Sequence, residues 1–80
     1  MGSIGIKILR AKFPGQTDAE IAAAYAAEAG YHAIVRYKRA GSTEYTNFGC
    51  CMSDEEVEGY LRSPYCHDAE IVYVAPGRFE

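Results

Sequence analysis

The fold of this chain turns on Thr17-Asp18-Ala19-Glu20-Ile21, which runs through an alanine-rich segment to Gly30, and on the stretch that follows, Tyr31-His32-Ala33-Ile34-Val35-Arg36-Tyr37-Lys38. Thr17 and Glu20 have the spacing of a capping box, in which the Thr hydroxyl accepts from the Glu20 amide and the Glu20 carboxylate reaches back to the Thr17 amide. A helix is predicted from this point, with Ile21, Ala24 and Tyr25 on one face and Gly30 as a left-handed stop. Beyond it, residues 31–40 are rich in β-formers. They alternate Tyr31, Ala33, Val35 and Tyr37 against His32, Ile34, Arg36 and Lys38, the period of a strand.

Working outward from this pair, Ile4, Ile6 and Ile8 alternate in the same way and predict a first strand over residues 4–13. Its apolar parity changes to Leu9, Ala11 and Phe13, as at a bulge or strand end, and Pro14-Gly15 stops it. On the other side, Gly41-Ser42 is a turn, and residues 43–52 read as a third strand that forms a hairpin with the second. Ser53-Asp54-Glu55-Glu56 repeats the capping-box spacing and opens a short helix, with Val57, Tyr60 and Leu61 at i, i+3 and i+4 and Ser63-Pro64 as its end. Ile71-Val72-Tyr73-Val74-Ala75 is a β-branched run and a last strand, bounded by Pro76-Gly77, and the tail 78–80 is expected to fray. The order β-α-β-β-α-β predicts one α+β domain over residues 1–80. It is the ferredoxin-like arrangement, a four-stranded antiparallel sheet with two helices on one face.

Composition sets the class. The chain has 80 residues, 49% hydrophobic and 24% charged, far from the signature of disorder. Eight basic and eleven acidic side chains give a net charge of -3, which argues against affinity won by global neutralisation of phosphates. The longest apolar run, Ile21 to Ala27, is far short of the ~20 residues of a bilayer span. Lys7 and Arg10 come too early for a secretory signal, and Ile6 stands where a myristoylation signal wants Ser or Thr. Cys50, Cys51 and Cys66 match no disulfide scaffold, so reduced thiols and a cytoplasmic location are expected.

No catalytic, cofactor or metal motif emerges. Cys50-Cys51 with Cys66-His67 offers the ligand count of a zinc site, but adjacent residues of a strand point to opposite faces. Cys66 and His67 are neighbours in sequence, which does not make a nucleophile and its base meet. RNA-binding modules of this fold carry a glycine-aromatic pattern on the third strand, where this chain has Tyr45-Thr46-Asn47-Phe48-Gly49. The loop after the first strand, Phe13-Pro14-Gly15-Gln16, holds neither Cys-x-x-Cys nor an arginine in a glycine-rich turn. His32 reads as a plain surface or hairpin histidine.

With two helices on one face, the other sheet face is open, and if Val35 and Tyr37 face the helices it carries His32, Ile34, Arg36 and Lys38. This basic stripe, extended by Lys7, Arg10 or Lys12 from the first strand and joined by Tyr45, is the first candidate for partner binding. The second is the acidic helix with Asp54, Glu55 and Glu58, placed to imitate phosphates in a basic groove. In size, charge and lack of catalytic motifs the whole chain resembles the small inhibitors made by phages and mobile elements, the anti-CRISPR proteins among them. That resemblance implies a non-catalytic protein that docks on a CRISPR surveillance complex and blocks its DNA or its nuclease. Two alternatives stay open: a nucleic-acid-binding module using the basic sheet face, and a homo-oligomeric small-molecule binder or small enzyme.

Overall fold

The structure, a computed structural model, describes residues 2–76. Seven elements follow in order: β1 Gly2–Gly5, α1 Ile6–Lys12, α2 Asp18–Ala29, β2 Ala33–Lys38, β3 Asn47–Cys51, α3 Asp54–Arg62 and β4 His67–Val74. The expected tail lies outside the described residues. The capping box forms as its spacing predicts: Thr17 Oγ1 accepts from the Glu20 amide at 3.2 Å and Glu20 Oε1 accepts from the Thr17 amide at 2.9 Å. Gly30 closes α2 at φ 80°, a left-handed conformation that glycine takes without strain. At α3 the box is modified, because Ser53 accepts from the Glu56 amide while Glu56 reaches back one residue further, to the Met52 amide.

The first segment differs from its expectation. Only Gly2–Gly5 is a strand, and the chain turns directly into α1. The apolar residues that matter are Ile6, Leu9 and Phe13, at i, i+3 and i+7, with Ile6 and Leu9 buried and Ile8 exposed. The parity change at Leu9 is thus the mark of a 3.6-residue period, and the Ile4, Ile6, Ile8 alternation spans a strand–helix junction.

The four strands form one antiparallel sheet in the order β1-β3-β2-β4. The ferredoxin-like order expected from the sequence is therefore corrected at one strand: β4 lies beside β2. The consequence follows from chirality. β1 to β2 and β3 to β4 each step across one intervening strand in the same direction, but the second pair runs antiparallel to the first. Right-handed crossovers then place α2 and α3 on opposite faces of the sheet. Two cores result. Ile34, Phe48 and Cys50 pack with Ile6, Leu9, Ile21, Ala22 and Ala26 under α1 and α2. The alternate residues Ala33, Val35 and Cys51 pack with Val57 and Tyr60 under α3. Covered on both sides, β3 is buried at all five of its residues.

The physical reason for the edge chosen by β4 is in its side chains. β1 offers only four residues for pairing, whereas β2 sets Arg36 opposite Glu70 and brings Lys38 to Asp68. Opposite charges across a strand pair favour that register. The close fit of α3 is enforced at Gly49, where an added Cβ would stand 2.5 Å from the Tyr60 ring.

Candidate functional site

The expected open basic face does not exist, because α1 and α2 cover it. The structure does bring three of its residues together. The Arg36 guanidinium lies 4.1 Å from the centre of the Tyr45 ring and Lys38 Nζ lies 5.0 Å from it. These contacts are cation–π interactions, and the Tyr45 hydroxyl donates to the Asp68 carbonyl at 3.0 Å. The charges are spent internally. Arg36 holds Glu70 through Nε and Nη2 and donates from Nη1 to Asp18 at 2.9 Å, Arg10 donates twice to Asp18 at 3.2 Å, and Lys38 reaches Asp68 at 3.1 Å. Three cations thus meet three carboxylates. Burial pushes the Asp18 carboxyl up, but the hydrogen bonds and charges of Arg10 and Arg36 outweigh it and hold the group below the usual carboxylate value. Burial likewise works against the charged Arg36, and Glu70 and Asp18 more than restore it. The network ties α1, α2, β2 and β4 into one body. Beside it lies an open hollow of about 630 Å³ lined by Arg10, Thr17, Asp18, Arg36 and Glu70.

The other candidates fall elsewhere. Asp54 begins α3 and its Oδ1 lies 2.7 Å from His32 Nε2. His32 itself is buried, which corrects the reading of a surface histidine and adds a polar tie between β2 and α3. Glu58 pairs with Arg62 one turn on at 3.0 Å, and Glu55 is exposed. With Val57 and Tyr60 turned to the sheet, Asp54, Glu58 and Leu61 share the outward side of the helix at i, i+4 and i+7. Sequence reasoning missed what flanks them: Met52, 54% exposed just before the helix, and Tyr65, 80% exposed just after it. The signal for Tyr65 was present in Ser63-Pro64, since a residue following a helix stop has no face to bury. Lys7 is exposed on α1, at a cleft near the β2–β3 loop that Arg10 and Tyr45 of the Arg36 network also line.

The thiols lie apart. Cys50 belongs to the core under α1 and α2 and Cys51 to the one under α3. Burial pushes the Cys51 thiol up to about 12, with Glu56 adding to it, and burial raises Cys50 as well, partly offset by hydrogen bonds from Tyr31 and Tyr25. Such groups are protonated and slow to react. Among the described residues no three His, Cys, Asp or Glu side chains are placed to hold a metal ion, and no helix is long and apolar enough to cross a membrane. Comparison of the chain with family models, with curated proteins and with solved structures finds no match.

Proposed function

We propose that this chain is a non-catalytic binding protein, an inhibitor that acts by occupying its partner's surface, and that it docks through the outward face of α3. The observation that carries this reading is the pattern of that face, where Asp54, Glu55 and Glu58 stand exposed and Met52, Leu61 and Tyr65 add uncovered apolar groups at its two ends. Carboxylates of this kind steer an encounter with a basic surface, and an exposed aromatic anchor holds it once a pocket is filled. The same spacing of carboxylates stands in for phosphates in a groove built for nucleic acid. A CRISPR surveillance complex in the host cytoplasm, the target implied by the resemblance to anti-CRISPR proteins, is the partner we propose, with block of its DNA or nuclease as the mechanism. The Arg36 network weakens the nucleic-acid-binding alternative, because each of its cations is already paired with a carboxylate that a phosphate would have to displace.

The test is a pull-down from host lysate, with and without nuclease, using the wild type, a Glu55→Lys/Glu58→Lys variant and Tyr65→Ala. The expected result is a stoichiometric protein partner that survives nuclease, is lost with the charge reversal and is weakened by Tyr65→Ala. Both variants should remain folded with a cooperative melt, since the Glu55 charge in the first turn is worth about 0.3–1 kcal/mol, the exposed Glu58–Arg62 pair about 0.2–0.5 kcal/mol, and Tyr65 is 80% exposed. Retention of nucleic acid alone, or a partner indifferent to all three substitutions, overturns the assignment to α3.

A further inference from the structure

The sheet ends at two strands, β1 and β4. β1 is guarded by its brevity, at four residues. β4 runs for eight, from His67 to Val74, and no described strand pairs its outer side. An open strand edge is a row of backbone donors and acceptors, and the occupant that fits it is another strand. Edge charge is a common guard, but the two acids of β4 are engaged by the neighbouring strand: Lys38 holds Asp68 and Arg36 holds Glu70.

One bond fixes which backbone groups of that edge point outward. The Ala75 amide donates to the His32 carbonyl at 2.8 Å, so the alternation of an antiparallel ladder turns the Val74 amide and carbonyl away from β2. Val74 lies opposite Ala33 and Ile71 opposite Val35, two places further along β2, so Ile71 has the same phase and also points outward. Val72 is the extra residue of the bulge between them. Ala33 and Val35 belong to the core under α3, which puts Ile71 and Val74 on that face of the sheet, and each is left 46% exposed there.

We propose that β4 is a self-pairing edge, at which two copies of this chain join β4 to β4, antiparallel, about a twofold axis between Val72 and Tyr73. The charge pattern of the strand selects a second copy as the occupant. In this register Ile71 of each chain stands opposite Val74 of the other, and Val72 opposite Tyr73, so the outward-pointing residues meet and the paired core of residues 71–74 is uncharged. Glu70 lands opposite Ala75, which leaves the two Glu70 carboxylates roughly 17 Å apart along the strands, well beyond the screening length of about 8 Å. A parallel pair would instead set Glu70 against Glu70. Pairing over so few residues falls below a standard interface of about 800 Å² per partner, so the dimer dissociates on dilution. It goes beyond the docking reading and does not depend on what α3 binds.

The experiment is sedimentation velocity of the whole chain at concentrations from about 1 µM to about 1 mM, with amide hydrogen exchange read at both ends of that range. A dimer that grows with concentration is expected, together with slower exchange of the Ile71 and Val74 amides as it forms. Ile71→Lys/Val74→Lys sets lysine opposite lysine twice and should weaken the dimer about tenfold or more. Ile71→Lys/Val74→Glu sets lysine opposite glutamate in the same register and should restore it, a rescue that loss of apolar surface alone does not give. If the double-lysine variant does not fold, the wild-type amides and the lysine–glutamate variant still decide. A chain that stays monomeric up to about 1 mM, or a dimer that survives the two lysines, overturns the proposal. So does a dimer abolished equally by both variants, or exchange of the Ile71 and Val74 amides that ignores concentration.

Discussion

Asp18 accepts from arginines on two different elements, Arg10 on α1 and Arg36 on β2, while it also begins α2. Its side chain is 11% exposed, so loss of the negative charge leaves Arg36 without one of its two carboxylates in a half-covered site. Asp18→Asn should lower stability by about 1–3 kcal/mol, read as a lower melting temperature. The sign of its pH dependence follows from the depressed folded-state value. The stabilisation is fully present above the ordinary carboxyl value of 3.8 and is lost as pH falls through the lower folded value. The gap between wild type and Asp18→Asn should therefore narrow below about pH 4, and a gap that stays constant down to about pH 2 sinks the argument. Gly49 offers a steric counterpart. Its substitution by Ala places a methyl group 2.5 Å from the Tyr60 ring, so α3 must lift from the sheet, at a cost of about 1–3 kcal/mol. Because the burial that raises Tyr60 to about 12 depends on the same packing, the variant should also titrate its tyrosines at lower pH in an absorbance scan.

At the scale of elements, the parts that were legible in the sequence are those whose signal is local. The boundaries of α2 follow from Thr17, Glu20 and Gly30, and the start of α3 from Ser53, because a cap is a contact within four residues. Thr17→Ala should cost about 1 kcal/mol and lower the denaturant midpoint, with an unchanged slope if only α2 is weakened. The first strand is shorter than its pattern suggests because three isoleucines at spacing two fit a strand even though the second and third belong to α1. What decides the matter is the contact of Leu9 and Phe13 with α2, which no local pattern states. The basic stripe on β2 lies in a setting that no local pattern states. Arg36, Lys38 and Tyr45 do meet, but the carboxylates that neutralise them, Asp18, Asp68 and Glu70, come from distant parts of the chain. Charge reversal at Arg36 is thus a change to the fold as much as to the surface. It should lower the melting temperature by more than the reversal of Glu55 does.

At the scale of the whole molecule, one strand placement changes the function that the chain can serve. Had β4 lain outside β1, both helices would share a face and the other face would be free to bind. With β4 beside β2, both faces of the central strands β2 and β3 are spent on cores, and what is left for recognition is helix surface, loop and the exposed flank of β4. The acidic outward side of α3 is such a surface.

The order β1-β3-β2-β4 also has a kinetic reading. Only β2 and β3 are neighbours both in sequence and in the sheet, whereas β1 and β4 arrive from opposite ends of the chain to flank that hairpin. Each outer pairing must close a long loop before it gains any contact, so the hairpin is the natural nucleus and the two edges are latecomers. Opening should run in reverse. Amide protons of β2 and β3 that point at each other should exchange only through global unfolding, and those that hold β1 should be released first, its four residues unzipping in sub-global events. The chain would then spend part of its life as a three-stranded sheet with one flank of β3 bare, a transient template on which a second chain could add its own strand.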